Sequence, residues 1–347
     1  MTDAPSAPPA ADFYAEYAPA APPAALPRAP LRLSCVVPAH NEEANLPHFV
    51  QALAQAVAQL TPDFEILIVN DGSRDGTHAV ALQLLENSGL PLRYIALSRN
   101  FGKEAALSAG IDHARGNAVV LIDADFQHPL ELLPQMHDLW QHGYDMVYGV
   151  IVDRAAEHGA KRVGTSLFYR IMNSGNAVKL PPNAGDFRWL DRKVVEALKR
   201  LPERHRFMKG LYAWVGFKSA ALPFVPLDRA AGASSFNLRR LGSLALLGLT
   251  SFTTLPLRVW SVIGGLVALL ALCYGAWITL DTLLFGADLD GWPTLAAGIM
   301  LFSGVQLMSI GILGEYIGRI YDEVKQRPSY LVARDEDRSP LREDADA

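Results

Sequence analysis

Cysteine is nearly absent from this 347-residue chain: only Cys35 and Cys273 occur, so neither a disulfide framework nor a cysteine-ligated zinc site can be assembled. A basic excess is missing too, since 31 Lys and Arg stand against 36 Asp and Glu, a net charge of −5. Nucleic acid is therefore not an expected partner, because proteins that bind it present a cationic field. The first 30 residues lack the charged start and apolar run of a secretory signal, and their first basic residue is Arg28. Their Ala- and Pro-rich composition suits neither helix nor sheet, and 1–30 reads as a disordered tail.

Charge itself is missing from two long runs, 259–280 and 292–313. Each has about 22 residues, enough at roughly 1.5 Å per residue to cross a hydrocarbon core about 30 Å thick. The expectation is a transmembrane hairpin over 257–318. Its short connector holds Asp288 and Asp290 and no cation, whereas Arg258, Arg319, Lys325 and Arg327 flank its outer ends. The positive-inside rule then places both termini, including a tail over 319–347, in the cytoplasm. The charge-rich stretch 334–347 reads as solvated. Lys161–Ile171 and 236–256 mix basic and apolar residues as interfacial membrane segments do. Gly264, Gly265 and Gly311 would let membrane helices pack closely, as in a homo-oligomer.

Between the tail and the hairpin, over 31–235, short apolar runs alternate with amphipathic segments. Leu33–Val37, Phe64–Val69, Leu92–Leu97, Ala118–Ile122 and Met146–Val152 are predicted strands, and helices are predicted from Glu43, Thr77, Gly102 and Leu130. This order gives an α/β domain with a mostly parallel sheet.

Active groups in such sheets gather at the carboxyl ends of the strands. There the chain carries VPAHNEE, with Asn41 and Glu42; VNDGSRDGT, with Asp71, Ser73 and Asp75; SRNFGKEAA, with Lys103; and LIDADFQH, with Asp123, Asp125 and Gln127. Carboxylates and an amide oxygen are hard ligands suited to Mg²⁺ or Mn²⁺ beside a nucleotide diphosphate. Asp71 reads equally as a turn residue or as an acceptor facing a base, while Asp75 reads as a helix cap. Lys103, at a helix start, suits a diphosphate or plain solvent.

Taken together, these motifs resemble the family-2 glycosyltransferases, in the branch of the dolichol-phosphate mannose synthases and bacterial polyprenyl-phosphate glycosyltransferases. NAGDFRWLDR at 183–192, RFMKGL at 206–211, TSFTTLPLR at 250–258 and GEYIGRIYDEVKQRPSY at 314–330 extend the likeness. The resemblance implies a Rossmann-like GT-A domain at a bacterial inner membrane. It also implies inverting transfer of one sugar, glucose from UDP-glucose foremost, to undecaprenyl phosphate. GDP-mannose or a UDP-aminoarabinose-type donor is the alternative. It further implies that Asp123, Asp125 and Gln127 hold the metal and that Pro38, Ala39, Asn41, Glu42, Asp71, Ser73, Lys103 and Asp123 line the nucleotide. It implies that Asp186, near the reacting sugar, and Asp125 are the catalytic carboxylates. Arg154, Arg162, Arg188, Arg206, Lys209 and Ser234 are candidates for the acceptor phosphate.

Two departures stand out. Asn70 occupies a place where the family usually shows aspartate, and Ser235 and Phe236 replace the lysine and tyrosine of a G-x-S-K-Y motif. A processive polysaccharide synthase is disfavoured, because Gly185 stands where its Q-x-x-R-W motif needs glutamine and only two spans are expected. A sugar-nucleotide-binding scaffold without turnover is the non-enzymatic alternative; converging carboxylates without a metal would repel one another there.

Overall fold

In a computed structural model the chain is described over residues 28–151, 181, 184–204, 206–226 and 291–341, with further helical positions between 260 and 284. Residues 1–27 of the predicted tail 1–30, the interfacial segments 161–171 and 236–256, and positions 259, 261, 268, 271, 272, 275, 278 and 279 of the first span lie outside the described residues.

The chain divides into two units, one of residues 1–238 with 328–347 and one of 239–327. The first is built on an eight-stranded sheet. Its elements are β1 (Leu33–Ala39), α1 (Leu46–Ala58), β2 (Phe64–Asn70), α2 (Thr77–Asn87), β3 (Leu92–Leu97), α3 (Lys103–His113) and β4 (Ala118–Leu121). There follow α4 (Leu133–Gln141), β5 (Met146–Ile151), β6 (Ala184–Asp191), α5 (Arg192–Lys199), α6 (Met208–Trp214), β7 (Ser219–Phe224) and, last in the chain, β8 (Val332–Asp337). The five predicted strands are all present.

The strand order is β7-β5-β6-β4-β1-β2-β3-β8. β1 to β4 run parallel, as their apolar runs suggest: β2, β3 and β4 are buried throughout and β1 at every residue but Pro38, the pattern of strands covered on both faces. On α1, Leu46, Phe49, Val50, Leu53, Ala54 and Val57 form the single stripe that packs on the sheet. α3 lies closer still. A Cβ on Gly110 would meet Val36 Cγ1 at 2.1 Å, so only glycine permits this approach of helix to strand.

The sheet is mostly parallel, as expected, with six of its eight strands running one way and two reversed. β6 runs antiparallel to both β4 and β5, and β8 runs antiparallel to β3. β6 escaped the strand reading because AGDFRWLD interrupts its apolar residues with Asp186 and Arg188.

β8 corrects a second expectation. The stretch read as a solvated tail is the edge strand of the sheet, with Ser339 and Leu341 buried beyond it. Its charges find partners supplied from elsewhere in the unit. Arg93, almost fully buried, donates from Nε and Nη2 to the two oxygens of Asp335 at 2.9 and 2.7 Å, and Arg115 pairs with Asp337 at 2.5 Å. Ser339 donates to the buried Glu65, and Tyr330 donates to Asp112 on α3. Composition alone could not distinguish a solvated run of charges from one that meets opposite charges on folding. Asp335→Ala should lower the stability of this unit by on the order of 2 kcal/mol, since it strands a buried guanidinium. A thermal midpoint unchanged from wild type would remove β8 from the stabilising framework.

In the second unit, α7 (Trp292–Val324) is a 33-residue helix. It begins where the second predicted span begins and continues past that span's end at Leu313. Among the described residues it is the one helix long and apolar enough to cross a membrane, through its segment Leu301–Val324, none of which is buried. Leu301, Leu307, Ile310 and Leu313 are exposed, as lipid-facing side chains would be.

Candidate active site

The carboxyl ends of β1 and β2 lead into two loops that hold each other. Asn41 sits in the left-handed region at φ 59°, which asparagine tolerates, and its N–H donates to Ser73 Oγ at 3.0 Å while its Oδ1 accepts from Arg74 N–H at 2.9 Å. Glu42 N–H donates to Thr77 Oγ1 at 2.8 Å. Asp75 Oδ1 accepts from both the N–H and the hydroxyl of Thr77, but Gly76, one residue on, occupies the capping position expected of Asp75. Pro38 and Ala39 close β1 beside Val69 and Asn70. Five of the residues expected to line a nucleotide, Pro38, Ala39, Asn41, Glu42 and Ser73, are thus brought to one rim.

Asp71 has a role that neither sequence reading contained. It is buried, and its carboxylate accepts from Phe101 N–H at 2.7 Å and Gly102 N–H at 2.9 Å. It therefore fixes the loop that leads into Lys103. Gly72 makes this approach feasible: at φ 58° a Cβ there would lie 2.3 Å from the carbonyl carbon of Arg99.

Lys103, the first residue of α3, bridges two carboxylates. Its Nζ lies 2.7 Å from Asp123 Oδ2 and 2.8 Å from Asp186 Oδ2. Register explains the convergence. β4 and β6 pair Leu121 with Arg188, and two more residues along antiparallel strands bring Asp123 beside Asp186. The ammonium accordingly is paired with two carboxylates, although the side chain remains 44% exposed.

Burial alone would raise the Asp186 carboxyl, but Lys103 above all, then Lys209 and Arg188, holds it well below the usual carboxylate range. The same carboxylates keep Lys103 charged against its own desolvation. Asp186 Oδ1 is out of solvent contact and has no hydrogen-bond partner among the described residues.

In the turn that follows β4, Asp125 Oδ1 accepts from Gln127 N–H at 3.0 Å across Phe126, whose φ of 58° is unusual for a bulky residue. Phe126 is held there by an edge-on contact with Phe49 at 5.2 Å. Asp123, Asp125 and Gln127 are all half-buried and so open to a ligand. Among the described residues no group of three or more His, Cys, Asp or Glu side chains could hold a metal alone. Two carboxylates suit Mg²⁺ or Mn²⁺ nonetheless, because such ions commonly take one or two protein carboxylates and complete their shell with phosphate oxygens and water. The donor set, all oxygen and partly open, fits that arrangement.

The expected cations divide. Lys209 lies close enough to bias both Asp186 and Glu104. Arg188 is 1% exposed, its guanidinium 4.2 Å from the Tyr212 ring centre and 5.0 Å from that of Tyr148, an interior cation behind the site and not a rim contact for phosphate. Arg206 is also corrected. It donates to Leu201 O at 2.9 Å and to Ser108 Oγ at 3.2 Å, with longer bonds to Leu198 O and Glu203 O, so it gathers the carbonyls that end α5. Arg206→Ala should lower thermal stability and leave the lipid KM unchanged; a selective rise in that KM with unaltered stability would restore a phosphate contact. Arg154, Arg162 and Ser234 lie outside the described residues.

Sequence reasoning missed Glu104. Its Oε2 accepts from Met208 N–H at 3.2 Å, tying α3 to the RFMKGL segment, and burial together with Asp186 pushes its carboxyl up to about 7. Its place directly after Lys103 in KEAA was the available signal. Tyr212, buried against Arg188, was also missed, although it follows RFMKGL directly.

Residues 34–199 match the family described as Glycosyl transferase family 2, and residues 255–320 match one described as the GtrB C-terminal hairpin. A prophage-derived bactoprenol glucosyl transferase of Shigella flexneri is 45% identical over 306 residues, 88% of this chain and 98% of its own. A prophage bactoprenol glucosyl transferase homolog of Escherichia coli K12 is 44% identical over 306 residues, 88% of this chain and 99% of its own. An uncharacterized glycosyltransferase of Synechocystis is 46% identical over 303 residues, 87% of this chain and 95% of its own. On these identities and coverages, the chain belongs to the family 2 glycosyltransferases, in the branch of the bactoprenol glucosyl transferases.

Proposed function

We propose that this enzyme transfers one sugar, with inversion, from a nucleotide diphosphate sugar to a polyprenyl phosphate at the inner face of a bacterial cytoplasmic membrane. UDP-glucose is the first-choice donor and undecaprenyl phosphate the acceptor. The relatives named as bactoprenol glucosyl transferases support that pairing. The apolar helix α7 and the match to a C-terminal hairpin support a two-span anchor with both termini cytoplasmic.

The observation that carries this reading is the convergence of Asp123 and Asp186 on Lys103, with one Asp186 oxygen unpartnered among the described residues. A lipid monophosphate has a second pKa near 6, so at neutral pH its oxygen is largely ionised and already nucleophilic. No strong base is required, and a carboxylate held well below the ordinary range would be a poor one. Asp186 therefore orients the sugar and stabilises positive charge developing at the anomeric carbon. In the step itself, the phosphate oxygen forms a bond to that carbon while the bond to the nucleoside diphosphate breaks and its electron pair leaves with the diphosphate. Lys209 is the described cation best placed to receive the lipid phosphate, and the Asn41–Ser73 rim receives the nucleoside. Mg²⁺ or Mn²⁺, held by Asp123 and Asp125 with Gln127 as a further oxygen donor, would neutralise the departing diphosphate.

Carboxylate repulsion does not by itself exclude a scaffold, because Lys103 already neutralises Asp123 and Asp186 where they meet. The test is turnover. Purified protein in undecaprenyl-phosphate-containing vesicles is offered radiolabelled UDP-glucose, GDP-mannose and a UDP-aminoarabinose-type donor, with and without a chelator. Label moving into the lipid phase with UDP-glucose, and lost on chelation, is the expected result. No lipid-linked label from any donor would overturn the assignment, and label from another donor alone would correct the sugar.

A further inference from the structure

Asn70, the position where an aspartate was expected, ends β2 directly behind the rim assigned above to the nucleoside. It is buried, and both ends of its amide are used. Its Oδ1 accepts from Ser73 N–H at 2.9 Å, and its Nδ2 donates to Tyr94 Oη at 2.8 Å. Tyr94 Oη in turn lies 2.6 Å from His78 Nδ1.

The direction of this chain follows from its one unambiguous member. A backbone N–H can only donate, so the atom of Asn70 facing Ser73 must be the oxygen. The amide nitrogen then faces Tyr94, whose hydroxyl must accept from it. The single proton of that hydroxyl is left for His78, so Nδ1 of His78 accepts and its ring proton sits on Nε2. An aspartate at 70 would reverse the order: Tyr94 would donate to the carboxylate, and His78 Nδ1 would have to donate to Tyr94.

We propose that Asn70 is a positioning residue for the donor nucleotide, holding the Ser73 turn from behind in an amide orientation that Tyr94 and His78 fix. Ser73 passes that constraint to Asn41 through the 3.0 Å bond between its Oγ and the Asn41 N–H, and Asn41 Oδ1 returns it to Arg74. The backbone strain at Asn41 is thus held by a network whose far end lies on β3 and α2. This inference rests on the reading that the Asn41–Ser73 rim receives the nucleoside.

Two measurements on the full-length protein in detergent test it. In ¹⁵N-histidine-labelled protein, with the His78 signal identified by its loss in His78→Gln, His78 should be the Nε2–H tautomer in wild type and should carry a proton on Nδ1 in Asn70→Asp. An Nδ1–H tautomer in wild type overturns the proposed order. In steady-state kinetics, Asn70→Ala should raise the donor KM by roughly tenfold with kcat little changed, the scale of one lost neutral hydrogen bond. Asn70→Asp, which keeps an oxygen toward Ser73, should recover most of that loss. An unchanged donor KM in Asn70→Ala, with wild-type UDP binding intact by calorimetry, overturns the positioning role alone. Absence of UDP and GDP binding to the wild type overturns the nucleotide assignment together with it, while the tautomer result stands on its own.

Discussion

Asp125→Asn is expected to reduce turnover by about 10²- to 10³-fold, the scale at which one preorganised electrostatic contact at a leaving group contributes. The substitution is nearly isosteric, and the amide oxygen can still accept from Gln127 N–H, so the turn across Phe126 should survive. What is removed is negative charge facing the diphosphate, and with it one of the two carboxylates of the D-x-D turn. Asp125 is half-buried and has no ion pair among those found in the described residues, which predicts a thermal midpoint close to wild type. The discriminating comparison is turnover against added Mg²⁺ or Mn²⁺. A metal requirement that shifts to higher concentration fits the assignment, whereas near-normal turnover at ordinary metal concentration would remove Asp125 from the site.

Lys103→Met should be comparably severe and should change the pH dependence as well. The ammonium is shared by Asp123 and Asp186, and without it two carboxylates face each other with only Lys209 and the interior Arg188 to compensate. Asp186 now has a depressed carboxyl pKa. Its ionisation stabilises the fold above the unfolded value, about 4 for aspartate, and that contribution is lost as pH falls through the lower folded value. In the variant, burial regains the upper hand and the folded value rises, so the acid limb of the pH–rate profile should move to higher pH. Turnover at neutral pH should fall by roughly 10²-fold as orientation at the sugar is lost. If the variant kept both its neutral rate and its acid limb, the bridge would be architecture without a part in the reaction.

The rim motifs were legible because each lies within a few residues of a strand end. Asn41, Asp123 and Asp125 need only their own strand and loop to reach the carboxyl edge, and a parallel sheet places all such edges together. Arg206 was misassigned for a complementary reason. A cation in a family-like motif has the same letters whether it faces a phosphate or a row of helix-end carbonyls, and Arg206 meets the carbonyls through the turn that follows α5.

By itself the sequence determined the α/β alternation, the apolar run that becomes α7, and the set of oxygen-bearing side chains in the D-x-D turn. These are local properties, set by periodicity, by length and by side-chain chemistry within one segment. Only the tertiary structure decided that Asp186 stands beside Asp123, that Lys103 joins them, that Asp71 holds the loop before Lys103, and that the charged C-terminal stretch is a strand. Each of these depends on antiparallel register or on a partner supplied by a distant part of the chain: β6 on β4, Lys103 on Asp123 and Asp186, and Arg93 on Asp335 across 242 positions. Burial then converts those encounters into chemistry, because a charge withdrawn from water takes its energy from the groups that happen to face it.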